Sequence, residues 1–318
     1  MSDLQVLSSR AIRGMYFEAL AASAGIGWVD AVSNYFPSDQ ASEQYPWIGM
    51  PPALREWVGG RQLVSLKDFD GPTIKNLHYE ASFPVQLKDL RRDKTGQIEA
   101  RMREFIQRGQ SHFGKLLSTL IVAGESTVCY DGQYYFDTDH SEGSSGTQDN
   151  DITTDISALP VETHGVVTAP SKEEMLQAMV KSISQFFVFK DDQGEPINED
   201  AKAFHVQVPV GLWPAASSAL SKTNVQGPGI FNVDGFSIEL SVNPRLTSGG
   251  WTDKFVTFRT DGSVKALIRQ EETPPVPDML DEDSDHCKVN KEVVMLIDTW
   301  RNVGYGRWQG AVLNTLVP

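Results

Sequence analysis

The chain has 318 residues and a formal net charge of -14, with 28 Lys and Arg against 42 Asp and Glu. Its 40% hydrophobic and 22% charged residues exclude a disordered chain, and the acidic balance argues against a surface specialised for binding nucleic-acid phosphates. The two cysteines, Cys129 and Cys287, fit neither a disulfide framework nor a CxxC metal site, which favours a reducing cytosol, and no apolar run is long enough to span a bilayer.

The amino-terminal part of the sequence predicts a short helix followed by a long β-hairpin. Apolar residues recur at helical spacing over 8–24, and prolines then make 33–52 an irregular surface segment. Apolar and polar residues alternate without interruption over 77–88, which predicts a strand with one apolar face. We expect this strand to pair with 55–66, and Pro84 indicates a sheet edge. Such a hairpin would extend about 40 Å, too far for its own domain, so its apolar face is expected to contact another molecule.

Two helices are predicted with clear signals. Apolar residues at three- and four-residue spacing, Phe105 among them, predict one long helix over 95–123. Its basic residues fall mostly off the apolar stripe, which is typical of a solvated helix face. A second helix is predicted to begin at Ser171, because Ser171 and Glu174 have the spacing of a capping box.

The carboxyl-terminal half is predicted to consist mostly of strands. Short strands and one helix are expected over 203–269, and the proline-rich segment 273–278 predicts an extended connector at a domain boundary. The acidic residues of 278–285 lack the central glycine of a calcium loop and indicate a solvated charge run. A continuous apolar run at 293–297 predicts a buried strand, and the glycines of 304–310 permit close backbone approach beside large rings.

One stretch of the sequence invites a metal site. Asp131, Asp137, Asp139 and His140 carry atoms that can ligate a metal, but the spacing supplies no further His or Cys, and carboxylates at a strand end are usually solvated. The sequence contains no Walker motif, no GxSxG elbow and no HExxH pair. We therefore predict a non-enzyme with no catalytic residue, no cofactor and no metal. The alternative from the enzyme class is an Asp/His metal-dependent hydrolase.

Three stretches of the sequence resemble the major head subunit of Mu-like phages. They are 47–57 (WIGMPPALREW), 129–140 (CYDGQYYFDTDH) and 302–308 (NVGYGRW). The order of the predicted elements is similar over nearly the whole chain. The resemblance implies an α+β tailed-phage major capsid fold, the Hong Kong ninety-seven capsid fold. That fold contains an amino-terminal arm, an extended hairpin called the E-loop, a peripheral domain with a long spine helix, and an axial domain.

By position, the resemblance divides the chain into five parts. They are the arm at 1–45, a connector and E-loop hairpin at 46–90, the peripheral domain with its spine helix at 91–154, the axial domain at 155–270, and a return to the peripheral domain at 271–318. No fused scaffolding segment is expected before the arm helix.

The function that the resemblance implies is structural. The chain would be a major capsid protein that forms hexamers and pentamers of the icosahedral head around double-stranded DNA, which it would not bind sequence-specifically. It would be located in the virion, and in the host cytoplasm during assembly, without a membrane. Its other partners would be separate scaffold, maturation protease, portal and decoration proteins. The candidate intersubunit contacts are Arg55, Trp57, Leu77, Tyr79, Phe83, Val85 and Leu87. A tail or decoration component is the alternative within the virion.

Overall fold

A computed structural model describes residues 27–45, 47–48, 68–69, 71–92, 96–161, 163–221, 230–233 and 235–318. The helix predicted at 8–24 and the strand predicted at 55–66 lie outside these residues. The described helices are α1 (Gly27–Val32), α2 (Leu87–Arg92), α3 (Gln97–Gln110), α4 (His112–Val122), α5 (Lys172–Phe186), α6 (Trp213–Ser221), α7 (Pro244–Ser248) and α8 (Asp285–Asn290). None of them is long and apolar enough to cross a membrane.

The strands belong to one six-stranded sheet, one four-stranded sheet and two small hairpin ladders. They are β1 (Ser33–Pro37), β2 (Ser42–Gln44), β3 (Trp47–Ile48), β4 (Asp68–Phe69), β5 (Thr73–Lys75), β6 (Leu77–Gln86), β7 (Asp151–Asp155), β8 (Ala203–Val208), β9 (Ile230–Val233), β10 (Phe236–Val242), β11 (Lys254–Arg259), β12 (Leu267–Leu280), β13 (Glu292–Tyr305) and β14 (Ala311–Val317).

The four-stranded sheet has the order β1, β12, β13, β6. β6 pairs antiparallel with β13 over all ten of its residues. The strand predicted from the alternation over 77–88 is confirmed as β6. Among the described strands it lies at the edge of the sheet, as Pro84 indicated. Its partner in the structure is β13 of the same chain, where the sequence predicted 55–66. Alternation determines which face of a strand is buried, but it does not specify which strand lies alongside.

One of the two long central strands of this sheet, β12, runs across the position where a domain boundary is expected. β12 pairs with β1 on one side and with β13 on the other. It stays extended through the proline-rich segment 273–278, as predicted, with register shifts on both sides of Thr273. The boundary expected between residues 270 and 271 therefore falls inside a continuous strand.

The six-stranded sheet has the order β7, β14, β11, β8, β10, β9 and carries most of the core. Helix α5 packs on it through Met175, Met179 and Phe186, all of them buried. The capping box predicted for α5 is present, because the Glu174 backbone N–H donates to Ser171 Oγ and the Ser171 N–H donates to the Glu174 carboxylate. The predicted strands at 203–269 are confirmed as β8, β10 and β11.

Two strands that the resemblance assigns to the peripheral domain lie in the six-stranded sheet. β14, from the predicted return to the peripheral domain, pairs with β11 and β7 in the six-stranded sheet. β7 comes from the part assigned to the peripheral domain. The tail therefore crosses between sheets, with β13 in the four-stranded sheet and β14 in the other. The residues between them, which end with the short 3-10 helix Trp308–Gly310, make the crossing.

The predicted long helix at 95–123 is two helices, α3 and α4, with Ser111 between them at φ -79° and ψ 5°. The Ser111 hydroxyl donates to the carbonyl of Arg108, which competes with regular helix geometry. Gly109, two residues earlier, lies against Ile297 of β13, where an added Cβ would be 3.2 Å from the Ile297 Cδ1. Phe105 was predicted to be in the buried stripe but is only half-buried, and it borders a groove.

A hairpin stem lies earlier in the chain than the predicted E-loop. β2 pairs antiparallel with β5, and β3 pairs with β4, so β2 and β3 run alongside β4 and β5. The Tyr45 backbone N–H donates to the Pro72 carbonyl and continues the ladder. We call these four strands the stem. The stem begins at residue 42, before the expected start of the connector at 46, and the chain continues from it into β6 and α2. Residues 49–67, which include much of the predicted E-loop, lie outside the described residues.

Glycines near the end of β13 permit the close packing that the sequence predicted for the tail. A Cβ added at Gly304 would lie 2.4 Å from the Cδ1 of Ile74 in the stem, and one at Gly306 would lie 2.6 Å from the carbonyl oxygen of Lys265. Distances under 3 Å require a neighbour to move. Backbone moves less easily than the end of a side chain, so Gly306 is the stricter of the two positions.

We expect Gly306→Ala to lower the free energy of unfolding by about 1–3 kcal/mol, because the new methyl group collides with the backbone of Lys265. Gly27→Ala is the matched control, since no atom of the described residues lies within 4 Å of its added Cβ. Urea unfolding followed by circular dichroism measures both variants. Equal stability of the two would show that the tail does not pack against residues 265–266 as described.

Candidate intersubunit surface

The stem is fixed to the four-stranded sheet by buried amides. Asn76, which follows β5, donates from Nδ2 to the Gln40 carbonyl at 2.7 Å and accepts from Gln270 Nε2 at 2.8 Å. Gln270 on β12 also accepts from the Tyr45 hydroxyl at 2.8 Å. Asn302 on β13 donates to the Lys75 carbonyl at 2.7 Å. These bonds connect both sides of the stem to the two longest strands.

The structure separates the candidate contact residues into three groups. Arg55 and Trp57 lie outside the described residues. Leu77, at the start of β6, is 42% exposed and available for contact. Val85 is buried inside its own subunit, in a cluster with Met102, Ile106, Cys287, Val293, Met295 and Ile297. The expectation that Val85 contacts a neighbour is therefore wrong, because α3 and β13 already cover it. Leu87, in the first turn of α2, is half-buried against the same cluster.

Tyr79 and Phe83 line a groove of about 470 Å³ between β6, β13 and the spine helices. The Tyr79 ring meets the His112 ring edge-on, with centroids 4.5 Å apart, and the Phe83 and Phe105 centroids are 5.8 Å apart. Both side chains are half-buried. The edge of the sheet thus presents aromatic rings that its own subunit covers only in part.

The groove also has a cationic side, formed by Arg108, Lys115 and Arg301. Arg301 is buried over the Phe113 ring, at 4.6 Å from its centroid, and donates from Nε to the Thr299 hydroxyl at 2.9 Å. Burial, with the nearby Arg301 charge, lowers the pKa of His112 to about 4, so this imidazole is neutral at physiological pH. The groove therefore combines half-buried aromatic rings with cationic side chains, and the Glu80 carboxylate also lines it.

The structure gives different roles to the four metal-ligand candidates of the sequence. The Asp137 carboxylate accepts from the backbone N–H groups of Tyr134 and Thr138, at 3.2 and 2.8 Å, so it closes a turn. Asp139 is exposed. Asp131 and His140 do meet, with 2.6 Å between the carboxylate and Nδ1. The hydrolase alternative loses its support, because Asp137 and Asp139 do not converge with His140 on a common site.

Two of the stretches that carry the resemblance pack against each other. The buried His140 ring stacks on Trp308 with centroids 4.1 Å apart and 8° between the planes. Asn150 donates to backbone carbonyls of both sides, Tyr135 at 2.9 Å and Trp308 at 3.4 Å. Trp308 in turn donates from Nε1 to Glu142 at 3.0 Å. The motif at 129–140 therefore fixes the crossing of the tail between the two sheets.

Comparison with known proteins finds similarity to the major head subunits of Mu-like phages and prophages. Residues 7–159 match the family described as Mu-like prophage major head subunit gpT. The Mu-like prophage FluMu major head subunit of Haemophilus influenzae is 32% identical over 114 residues, which make up 36% of this chain and 37% of that protein. The major capsid protein of Escherichia phage Mu is 30% identical over 120 residues, or 36% of this chain and 39% of that protein. The similarity therefore spans less than two fifths of the length of either relative.

The similarity of fold extends further than the similarity of sequence. A chain in the procapsid of bacteriophage JBD30 superposes with a TM-score of 0.53 and 21% identity, covering 96% of this chain and 72% of that chain. The fold is therefore that of a phage capsid protein, which confirms the fold class that the resemblance implied. The resemblance to Mu-like major head subunits is confirmed over residues 7–159, which include the stretches at 47–57 and 129–140 but not 302–308.

The different burial of two residues of β6 predicts different effects of the same substitution. We expect Val85→Asp to lower the free energy of unfolding by about 3–5 kcal/mol, because it buries an unpaired charge beside Met102. Leu77→Asp places the charge on an exposed position and should change stability by less than about 0.5 kcal/mol. Chemical unfolding of both variants measures the difference. A Val85→Asp subunit as stable as Leu77→Asp would return Val85 to the intersubunit surface.

We expect Asp151→Asn to stabilise the chain at neutral and alkaline pH. Burial, reinforced by the Glu125 carboxylate, raises the pKa of Asp151 to about 6. Because this carboxyl group holds its proton more tightly when folded, its ionisation costs nothing below about pH 4 and its full penalty above about pH 6. The gain in unfolding free energy should be about 1–3 kcal/mol at about pH 8 and absent at about pH 3. Exposed Asp139→Asn is the control, and a pH-independent effect of Asp151→Asn would contradict the assignment.

Proposed function

We propose that this chain is a major capsid protein of a Mu-like phage, a structural subunit that assembles with copies of itself into the head. The observation that carries the proposal is the capsid fold over 96% of the chain, together with the family match over residues 7–159. The two are independent, because the fold similarity includes the carboxyl-terminal half, which the family match does not reach.

The geometry suggests how one copy would hold the next. The hairpin that begins at residue 42 leaves the body from a stem hydrogen-bonded to β12 and β13, so its direction is set by the subunit that owns it. We propose that the hairpin, with Arg55 and Trp57, lies on a neighbouring copy. Leu77, Tyr79 and Phe83 of that copy would provide the receiving surface, while Val85 and Leu87 support it from inside. Because every copy offers the same two surfaces, the contact is head-to-tail and closes into rings, which would be the hexamers and pentamers of a shell.

The proposed location is the phage head, with assembly in the host cytoplasm. The formal net charge of -14 suits a shell that encloses double-stranded DNA without binding it tightly, since an acidic surface repels phosphates. Separate scaffold, maturation protease, portal and decoration proteins are the further partners that we propose. Their contacts would be with the assembled shell.

Replacing residues 49–67 by a short Gly-Ser linker tests the proposal directly. The replacement leaves the stem in place, so the subunit should keep its thermal unfolding temperature while losing assembly. Negative-stain microscopy and mass photometry of the purified wild-type chain should show rings or shells that the variant does not form. Leu77→Asp should weaken assembly in the same direction.

The exposed residue Thr119, on the spine rather than on β6, provides the matched control: Thr119→Asp should assemble as the wild type does. Identical oligomer distributions for the wild type and the linker variant would contradict the role of the hairpin. A wild-type chain that remains a single subunit at every concentration, even when co-expressed with a scaffold, would contradict the capsid function itself.

A further inference from the structure

The turn at 129–140 brings together three side chains with different ligand atoms. Cys129 Sγ lies 3.0 Å from one carboxylate oxygen of Asp131, and His140 Nδ1 lies 2.6 Å from the other. All three ligand atoms lie within 4.8 Å of one another. The sequence suggested Asp131 and His140 but not Cys129, which the fold adds because the chain reverses at Gly132 and returns alongside.

The tautomer of His140 is fixed by its second nitrogen. The Asn150 side-chain amide donates from Nδ2 to the carbonyls of Tyr135, Trp308 and Ala311, so its oxygen faces the other way. That oxygen accepts from the Asp137 backbone N–H at 2.9 Å and lies 3.2 Å from His140 Nε2. His140 Nε2 must therefore carry a proton. This arrangement, a backbone-anchored acceptor on the outer nitrogen, is how proteins orient a metal-binding imidazole.

With Nε2 protonated, the lone pair of His140 Nδ1 faces the Asp131 carboxylate. The 2.6 Å contact is therefore a hydrogen bond in the metal-free chain, and a metal ion at this place would replace its proton. The Trp308 ring closes one side of His140, whereas Cys129 is only half-buried, which leaves a path from solvent.

We propose that Cys129, Asp131 and His140 form a binding site for Zn²⁺. One thiolate, one carboxylate and one imidazole form a borderline donor set that suits Zn²⁺ better than Mg²⁺ or Ca²⁺, and three protein ligands leave the fourth tetrahedral position for water. Ligand atoms on one zinc ion are about 3.3–3.7 Å apart, so the present contacts would widen by less than about 1 Å.

The site would be structural. The metal would join the turn at 129–133 to His140, and through the stacked Trp308 it would brace the crossing of the tail between the two sheets. The proposal concerns the single chain and does not depend on shell assembly.

Titration with Co²⁺ tests the proposal, because cobalt bound to a thiolate gives an intense near-ultraviolet charge-transfer band. The wild-type chain, freed of metal, should develop this band at one equivalent and lose it when Zn²⁺ is added. Cys129→Ser should abolish the band, and Cys287→Ser, which alters the other cysteine in a separate cluster, should retain it. Zn²⁺ should also raise the thermal unfolding temperature of the wild type.

A second measurement avoids the risk that a variant misfolds. Zn²⁺ should slow alkylation of Cys129 in the wild-type chain at least tenfold, as measured by peptide mass spectrometry, and EDTA should restore the rate. Absence of a cobalt band and of protection in folded wild-type protein would overturn the proposal and leave a proton between His140 and Asp131. A band that survives Cys129→Ser in folded protein would overturn it equally, since the metal would then be bound elsewhere.

Discussion

The close packing of the tail where it crosses between the two sheets is the constraint on which the rest of the structure depends. β13 ends in the four-stranded sheet and β14 begins in the six-stranded sheet, so the few residues between them join the two cores. Gly306 allows this segment to touch the backbone of Lys265, and Trp308 fills the space beside it against His140. Both features pack this segment closely against its neighbours, Gly306 against backbone and Trp308 against the His140 and Phe189 rings.

The stem is positioned by β12 and by β13, the strand that leads into that crossing. It contacts β12 and β13 through Asn76, Gln270 and Asn302, and Ile74 packs where Gly304 leaves room. The stem is therefore tied to the sheet by side-chain amides from both of its long strands. In the assembly that we propose, this attachment would give the stem the same orientation in every copy.

Local patterns were sufficient for individual elements and insufficient for their partners. The alternation that predicts β6 and the capping box that begins α5 depend on neighbours in sequence, and both are confirmed. Three features depend on distant residues: the pairing of β6 with β13, the break of the spine at Ser111 where Gly109 meets Ile297, and the place of β14 in the larger sheet. The same limit applied to the contact surface. The alternation correctly placed Val85 on the apolar face, but only α3, a separate element, determines that its own subunit covers it.

Several polar and charged side chains of this chain are buried although they add little to its stability. Arg301 on β13 and the Asp131–His140 pair are buried, and burying each of them has a desolvation cost that an apolar side chain would not have. What they contribute is a requirement for one arrangement. Arg301 needs the Thr299 hydroxyl, the Phe113 ring and the Glu271 carboxylate around it, and His140 needs Asn150 and Asp131. An apolar core accepts small shifts of packing at little cost, whereas a displaced buried charge loses its partners at once. We interpret these groups as fixing one geometry for the chain, which the assembly that we propose would require of every copy.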